Sequence, residues 1–543
     1  MTSIKKVSGF LSSHQVVVQI MVLCVAIAAL YGQFLWNPIV FDDLPFFMVD
    51  NNGNLPIADY RFDFMELRSL PYATLAWGTT LLGVELLHFR VENLLLHTAV
   101  VVSLLIFLLS LFEVVYGARI VASSNLRLWA FSAALLFALH PVATYAVGYL
   151  VQRTILMATL FCLLAMLTYL HGSVRQKPVW LWASVLFYYL AVYSKEHVIM
   201  LPAVIVALCI LLHEDWLSKL RKQWMIFTAF AVIGMLVLFA KKGILGSVYE
   251  VNATEMLPGV GSDNAYLLSV LTQSWLFFKY IALWLAPNPE WMSVDMREPF
   301  ASVPWSPYLL ASGAFLVWGA FSVFLLFKRG RLGLLGFAML FPGLMFMTEF
   351  SAVRIQEGFV LYRSYLWAAG AFVLIPLLFS LIPRHMAVML TAVIATAFFA
   401  VSMERLSTMS HPLLLWDDAA KLVKDRDDLP GAYRVYYNRG TELLKVDQYD
   451  KAIADFKRVL ELESDYSPAF GNMGAAYLEK HEWESAVDAF SRVIEIAHRT
   501  GAGLDMRPFY GRAMAYEALG RADKAKLDYR ESCRLGKKGC EKP

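Results

Sequence analysis

The sequence predicts an all-α protein made of a polytopic membrane domain followed by a helical-repeat domain. The chain is 58% hydrophobic and only 17% charged, whereas soluble globular proteins carry about 25% charged residues. The deficit of charged residues lies in the first 405 or so residues, while residues 417–543 are charge-rich. In that second part, a pattern of small and aromatic residues recurs every 34 residues or so. These observations predict a membrane domain over 1–405, a linker over 406–430, about three repeats over 431–535 and a tail over 536–543.

Eleven apolar runs of the membrane domain approach the length that crosses a bilayer, which is about 20 predominantly apolar residues. The first run continues through Leu30 and Phe34, so we interpret it as an uncleaved transmembrane helix rather than a signal peptide. A further run, 265–286, is ambiguous from hydropathy alone. The eleven predicted spans are 16–36, 92–116, 125–143, 154–171, 177–194, 197–213, 223–240, 306–327, 332–349, 358–382 and 385–403.

Basic residues fall in alternate loops, as the positive-inside rule requires of a chain whose N-terminus is cytoplasmic. This agreement requires 265–286 to be re-entrant or surface-lying, and the odd number of crossings then places the repeats outside. We therefore predict a multi-pass inner (cytoplasmic) membrane protein with periplasmic repeats, or lumenal ones in a eukaryote. Cys533 and Cys540 could pair in such an oxidising compartment, which the sequence leaves open. The basic residues are Lys5, Lys6, Arg119, Arg127, Arg175, Lys177, Lys219, Arg221, Lys222, Lys328, Arg329, Arg331 and Arg384.

Unusual polar residues gather at the outer face in this topology. Asp42 and Asp43 directly follow the first span, and acids at a membrane are costly to keep and usually functional. Concentrated polar chemistry at one face implies a site there. The same face receives Arg68, Glu85, His88, His140, Arg153, Lys195, Glu196, His197, Lys241, Lys242, Lys279, Asp295, Glu349, Arg354, Glu357 and Arg363.

The C-terminal pattern predicts tetratricopeptide (TPR) repeats, in which small residues lie where two helices touch and aromatic residues fill between them. The first two repeats agree at a spacing of 34 residues, and the third is displaced by about five through an insertion near 499–505. TPR arrays are binding surfaces without chemistry of their own. The matching positions are Tyr436, Gly440, Ala452 and Phe456, then Phe470, Gly474, Tyr477, Ala486 and Phe490, then Ala513, Tyr516, Ala525 and Tyr529.

Short motifs occur along the membrane domain in a fixed order. They are Asp42-Asp43, Arg68 with Leu70, 90–97, Ala138-Leu139-His140-Pro141, Val151-Gln152-Arg153, Ser194-Lys195-Glu196, Lys279-Tyr280, Pro287 with Asp295, and 362–366. This series resembles the TPR-containing O-mannosyltransferase-like proteins, which belong to the GT-C class of polyprenyl-phosphate-sugar-dependent glycosyltransferases. The segment 356–363 is also similar to bacterial oligosaccharide or pilin glycosyltransferases. The family commonly has an acidic residue where this chain has Tyr362.

The resemblance implies transfer of a sugar from a polyprenyl-phosphate donor to a hydroxyl of an exported protein, such as a pilin, recruited by the TPR domain. Asp42 matches the leading acid of the family pair and is the predicted base, while Asp43 would orient it or bind a metal. Developing phosphate charge needs cations, for which the candidates are Arg153, Lys195, Arg363, Lys279 and Arg354. Arg68, His140 and Glu196 are supporting candidates.

Several alternatives stay open. The paired acids could be helix caps, and His140 could be structural. Arg153 and Lys195 could merely extend their charged groups to the membrane–water interface. Glu85 and His88, three residues apart, could bind a divalent metal with Asp43. The sequence identifies no other cofactor, and its net charge of +3 does not favour nucleic acid as a partner. A lipid or polysaccharide acceptor, a TPR scaffold without enzymatic activity, and a lipid-linked-sugar transporter are the competing functions.

Overall fold

The structure is a computed structural model that describes residues 14–50, 54–117, 121, 125–240, 247–248, 262–303, 307–355, 358–536 and 540–541. The regular structure of the described chain is helical apart from two two-residue strands, which confirms the all-α prediction. The chain divides into two compact units, Met1–His411 and Pro412–Pro543. Their boundary falls inside the segment predicted as a linker, and much of that segment is helical.

The first unit is built mainly from α-helices. In chain order these are α1 (His14–Tyr31), α2 (Leu44–Phe47), α3 (Ser69–Leu82), α4 (Leu86–Tyr116), α5 (Leu126–Ala138), α6 (Thr144–Val147), α7 (Arg153–Arg175), α8 (Pro178–Ser194), α9 (Leu201–Leu212), α10 (Trp216–Lys222), α11 (Trp224–Ala240), α12 (Ser262–Leu285), α13 (Pro307–Phe327), α14 (Gly330–Phe346), α15 (Ser364–Ala371), α16 (Leu374–Phe379) and α17 (Arg384–Thr408).

Short 3-10 turns and one pair of strands complete this unit. The turns are Gly32–Phe34, Phe41–Asp43, Pro56–Asp59, Pro141–Ala143, Glu196–Met200, Pro289–Trp291, Met347–Ser351 and Leu361–Arg363. The strands β1 (Ser247–Val248) and β2 (Ala352–Val353) pair in parallel, with Ser247 opposite Ala352.

Seven helices of the described chain are long and apolar enough to cross a membrane, namely α1, α4, α7, α12, α13, α14 and α17. Two bent pairs pass the same test together: α5 with the segment Pro141–Val147, bent by 49°, and α10 with α11, bent by 74°. The apolar helices Pro178–Ser194 and Glu196–Leu212 are shorter. These elements overlap ten of the eleven predicted spans, so the predicted pattern of apolar helices is largely present.

Two predicted segments look different in the structure. The run 265–286 lies in α12, one continuous helix of 24 residues that is itself a candidate span. Its polar residues Ser269, Thr272 and Gln273 are buried inside the unit, so they do not have to meet lipid. The run 358–382 is instead broken into α15 and α16. The side on which the second unit lies therefore stays a prediction.

The hairpin of α7 and α8 shows how local sequence sets the packing of this unit. Pro178 begins α8 in the first turn of the helix, where its missing N–H is not needed. A Cβ on Gly172 of α7 would lie 2.9 Å from the backbone nitrogen of Leu181, so the glycine permits the close approach of the two helices. Their other ends, at Arg153 and Ser194, border the polar residues described below.

The second unit consists of one leading helix followed by three pairs of helices. Its helices are α18 (Pro412–Val423), α19 (Tyr433–Lys445), α20 (Tyr449–Leu462), α21 (Ser467–Glu479), α22 (Trp483–Thr500), α23 (Met506–Ala518) and α24 (Ala522–Gly536). A Cβ on Gly440 would lie 2.8 Å from the ring of Phe456, and one on Gly474 would lie 2.8 Å from the ring of Phe490. The small and aromatic residues predicted to meet within each repeat therefore do so.

The insertion before the third repeat is shared between a helix and a loop. Helix α22 has 18 residues, against 14 for α20, and ends at Gly501 in a left-handed conformation with φ +69°. Asp505 then begins α23 by accepting a hydrogen bond from the Arg507 backbone N–H at 2.9 Å. Cys533 in the last turns of α24 forms a disulfide with Cys540, which answers the pairing that the sequence left open.

Candidate active site

Asp43 ties the loop after α1 to the loop before α7. The side chain is buried, and its carboxylate accepts hydrogen bonds from the backbone N–H groups of Leu150 at 3.0 Å and Val151 at 2.9 Å. Burial raises the pKa of Asp43 to about 7, although both amides and Arg90 oppose this shift. Asp43 precedes α2 but makes no capping bond to it, so the helix-cap alternative does not explain this acid.

Arg90 of α4 holds the same two loops from the other side. Its guanidinium donates to the carbonyl oxygens of Asn37 at 3.1 Å, Pro38 at 2.7 Å and Gly148 at 2.9 Å. With both loops fixed, Asp42 lies half-buried beside Gln152, whose amide nitrogen donates to its Oδ2 atom at 3.1 Å. Asp42 therefore keeps contact with the surface of the unit, whereas Asp43 does not.

Lys195 occupies the turn between α8 and α9 and is only 5% exposed. Its Nζ atom lies 5.4 Å from the centroid of the Tyr362 ring. Within the described part of the chain, this ammonium makes no hydrogen bond or ion pair. Burial, reinforced by Arg68, lowers the pKa of Lys195 to about 7. A buried cation without a partner is costly, so this position is suited to an incoming anion.

Charged neighbours surround Lys195 and connect it to Asp42. Arg68, Glu196, Arg363 and Asp42 all lie within electrostatic range of its ammonium. Arg68 and Glu196 form a bidentate ion pair, in which the Arg68 Nε donates to Oε2 at 2.9 Å. The structure thus brings five of the predicted site residues together from four separate segments of the chain.

Arg363 belongs to a second, buried group of charges centred on Glu349. Its Nη1 atom lies 3.2 Å from the Glu349 Oε2 atom, to which the Arg354 Nε is 2.9 Å away. The His197 Nε2 atom lies 3.1 Å from the other carboxylate oxygen. Two guanidiniums thus share one carboxylate. Glu349 and His197 were noted in the sequence only as polar residues of the outer face.

Three residues predicted for the site, Arg153, Lys279 and His140, make their contacts with other residues of the unit. Arg153 is buried and contacts Glu92 at 2.6 Å, Asn93 at 2.8 Å and the Phe89 carbonyl oxygen at 3.3 Å, so it joins α7 to α4. These contacts engage its charge inside the unit, so Arg153 does not reach for the interface, and its role as a phosphate contact stays a prediction. Lys279 forms an ion pair with Glu298.

His140 has a structural setting. Its Nδ1 atom accepts from the Val142 backbone N–H at 3.2 Å, and its Nε2 lies 3.1 Å from the Trp284 carbonyl oxygen. The imidazole also stacks on the Trp284 ring at 4.2 Å between centroids. Both ring nitrogens are therefore engaged by the backbone, and the ring packs as part of the core.

The described residues contain no group of three or more His, Cys, Asp or Glu side chains able to hold a metal ion. His88 contacts the Gly83 carbonyl oxygen at 2.8 Å and Glu92 at 3.3 Å, and Asp43 is held by backbone amides. The Glu85, His88 and Asp43 set suggested by the sequence is therefore not brought together. Lys241, Lys242 and Glu357 lie outside the described residues.

A cavity of about 690 Å³ opens beside Glu196. Helices α8 and α11 supply apolar walls that include Tyr188, Phe230 and Leu238. Glu196, His197 and Arg354 form its polar end. Its volume lies in the range of about 300–1,000 Å³ that is usual for small-molecule sites. An apolar cavity with one charged end fits an amphiphile whose head group is polar.

Two other residues of this region were not singled out from the sequence. Gln152 bonds Asp42, and the hydroxyl of Tyr149 lies within electrostatic range of Asp42, Asp43 and Tyr362. Gln152 belongs to the motif Val151-Gln152-Arg153, but neither residue type signals chemistry by itself. Their proximity to Asp42 depends on the loop that Asp43 and Arg90 hold in place.

The family models that match this chain lie in the second unit. Tetratricopeptide repeat models match residues 433–466 and 507–535, which correspond to α19–α20 and α23–α24. The "Tetratricopeptide repeat domain-containing protein PYG7, chloroplastic" of Arabidopsis thaliana is 37% identical over 70 residues, which is 13% of this chain. The match spans only 23% of that protein's length. The C-terminal region therefore contains TPR repeats, which generally mediate protein–protein interaction.

Among solved structures, the "Crystal structure of MamA protein" matches 24% of this chain and 67% of that chain at 21% identity. The TM-score of this match is 0.21, which is too low to carry an argument about the fold.

Proposed function

We propose that this protein is an integral membrane glycosyltransferase. It would move a sugar from a polyprenyl-phosphate carrier to a hydroxyl of an exported protein that the TPR repeats recruit. The observation that carries this proposal is one polar cluster that holds both a half-buried carboxylate, Asp42, and the buried ammonium of Lys195, which makes no hydrogen bond or ion pair within the described residues. These are the two groups that transfer of a sugar from a phosphate requires.

The transfer would be a single displacement. The acceptor oxygen forms a bond to the anomeric carbon as the bond from that carbon to the phosphate oxygen breaks. Asp42 takes the proton of the acceptor hydroxyl, and the polyprenyl phosphate leaves with one additional negative charge. Lys195 stabilises that charge inside a site of low dielectric constant. Because attack and departure occur on opposite sides of the carbon, the anomeric configuration inverts.

The cavity beside Glu196 supports a lipid-linked donor. Its walls of α8 and α11 suit an isoprenoid chain, and Arg354 lies at its polar end. This end is adjacent in the chain to Lys195 through Glu196. A nucleotide sugar would have little use for an apolar cavity of this kind.

The second unit supports a protein acceptor and an outward location. TPR repeats supply an interaction surface rather than chemistry. The disulfide between Cys533 and Cys540 is typical of an oxidising compartment. Both features agree with a site and repeats on the periplasmic side of the cytoplasmic membrane, where an exported acceptor becomes available.

The proposal is tested by intact mass spectrometry of exported proteins from cells that carry the wild-type chain, Asp42→Asn or no chain. We expect one exported protein to lose a sugar mass in both altered strains, because removing a general base lowers the rate by about 10²–10⁴. Asp59→Asn is the matched control, since Asp59 is an exposed acid of the same loop. Unchanged masses in the Asp42→Asn strain, with the protein present in the membrane, would refute the enzymatic role of Asp42.

A scaffold without enzymatic activity is the second candidate, because the family matches cover only the TPR repeats. It is distinguished by the partners that co-purify with the Asp42→Asn protein. A scaffold predicts that this variant keeps both its partners and the cellular phenotype. The enzyme predicts that the partners remain while the phenotype is lost.

A further inference from the structure

We propose that Tyr149 and Gln152 bind hydroxyl groups of the transferred sugar and thereby select the donor. This inference rests on the proposed function and deepens it, because it assigns the sugar-binding part of the same site. Neither side chain can carry the reaction itself, so both are specificity-determining residues.

Both side chains are buried, and each holds a polar atom for which the described residues supply no hydrogen bond. Tyr149 is 2% exposed and Gln152 is 4% exposed. Within the described part of the chain, the Tyr149 hydroxyl and the Gln152 Oε1 atom make no hydrogen bond. Buried polar groups in folded proteins are nearly always hydrogen-bonded, so unpaired ones call for an explanation. A polar ligand that arrives at this place supplies one.

The position of these atoms matches the place of the sugar. The Gln152 amide nitrogen bonds the proposed base, Asp42, at 3.1 Å, so its Oε1 atom lies next to the acceptor side. The Tyr149 hydroxyl lies within electrostatic range of Asp42 and also of Tyr362, the ring beneath the Lys195 ammonium. The anomeric carbon must lie between base and phosphate for an aligned displacement, and the sugar ring therefore falls beside these two side chains.

The available hydrogen-bonding groups complement a sugar. The tyrosine hydroxyl can donate or accept, and the Oε1 atom of glutamine accepts. Sugar hydroxyls do both. A sugar analogue that lacks the matching hydroxyl would leave these buried polar groups unpaired, and such a site rejects that analogue strongly. The same two residues would therefore distinguish sugars by the orientation of one or two hydroxyls.

The test compares lipid binding with and without a sugar, using the full-length protein purified in detergent micelles. The probes are decaprenyl phosphate and decaprenyl phosphate that carries glucose, mannose, galactose or N-acetylglucosamine. We expect one sugar-bearing probe to bind the wild-type protein more tightly than bare decaprenyl phosphate. Tyr149→Phe should weaken that probe by about three- to tenfold, as the loss of one hydrogen bond implies, while bare decaprenyl phosphate changes by less than about twofold.

Gln152→Met should also weaken the sugar-bearing probe selectively. Tyr169→Phe is the matched control. Tyr169 lies on α7, sixteen residues after Arg153, and its hydroxyl donates to Gln223 at 3.0 Å. This control should leave the affinities of all probes unchanged. Tyr149→Phe removes a hydroxyl that makes no hydrogen bond to the described residues. The melting temperature of this variant should therefore equal or exceed that of the wild type, which keeps folding defects out of the comparison.

The outcomes separate the two proposals. If the wild type binds neither kind of probe, the lipid-linked donor of the proposed function is refuted. If it binds bare decaprenyl phosphate and no sugar adds affinity, the inference on Tyr149 and Gln152 is overturned while the donor lipid stands. Equal weakening of all probes by Tyr149→Phe would overturn the inference as well, because the hydroxyl would then serve the site in general.

Discussion

Replacing Lys195 with methionine separates the charge of this residue from its volume. If a phosphate approaches the ammonium to about 4 Å, the attraction at an effective dielectric constant near 20 is about 4 kcal/mol. Burial disfavours the charged form of Lys195 and lowers its pKa to about 7. Part of the attraction to the phosphate therefore offsets the cost of keeping the ammonium charged. We therefore expect Lys195→Met to weaken decaprenyl phosphate binding by about 10²- to 10³-fold, since each 1.4 kcal/mol is about a factor of ten.

The same substitution should stabilise the empty protein. An ammonium that is 5% exposed and makes no hydrogen bond or ion pair in the described chain costs folding free energy that methionine does not. We expect the melting temperature of Lys195→Met to rise by about a few degrees. Loss of affinity together with gain of stability is typical of a residue kept for binding, and a purely structural lysine would lose stability.

The assay measures decaprenyl phosphate binding to the purified full-length protein between about pH 6 and 9. Because a lysine with a lowered pKa carries its charge below that pKa, wild-type affinity should be highest below about pH 7. It should then fall by up to about tenfold per pH unit above it. Lys279→Met is the matched control, since that ammonium is already paired with Glu298. Lys195→Met binding within about twofold of the wild type would refute the reasoning.

Two further predictions concern stability and packing. Glu349→Gln leaves two buried guanidiniums without their shared carboxylate, and should lower the unfolding free energy by about 3–5 kcal/mol; thermal unfolding in detergent checks this, and a loss under about 1 kcal/mol contradicts it. Gly474→Ala places a methyl 2.8 Å from the ring of Phe490 and should destabilise α21–α22 by about 1–3 kcal/mol, seen as faster hydrogen exchange there in the full-length protein. Gly471→Ala meets only Val493, at 4.0 Å, and should slow that exchange, since alanine favours helix by about 1 kcal/mol; faster exchange in both variants would contradict the packing argument.

The repeat region shows how much of a fold a periodic sequence predicts. Gly440 with Phe456 and Gly474 with Phe490 were expected to touch, and they do, because a repeated spacing of 34 residues repeats the same local geometry. The sequence did not predict the bidentate ion pairs of Arg439 with Asp455 and Arg512 with Asp528. The corresponding positions of the middle repeat are Met473 and Ala489, so no repeated signal marked them.

The candidate site was harder to predict, because its residues come from distant parts of the chain. Asp42, Lys195 and Arg363 were chosen as candidates from single motifs, and the structure places them in one neighbourhood. Arg153 was chosen on the same grounds, yet its contacts lie with Glu92 and Asn93 of α4. A motif identifies which residue carries a charge, but it contains no information about which neighbour that charge meets.

The sequence by itself determined the division into an apolar and a repeat-bearing part, the positions of most helices and the TPR pattern. Each of these depends on hydrophobic periodicity and local spacing, which are properties of neighbouring residues. Only the tertiary structure decided that Asp43 joins two loops from a buried position, that Arg363 shares Glu349 with Arg354, and that the Lys195 ammonium makes no hydrogen bond or ion pair in the described chain. These facts depend on long-range packing, because burial and pairing are set by side chains that lie far apart in sequence.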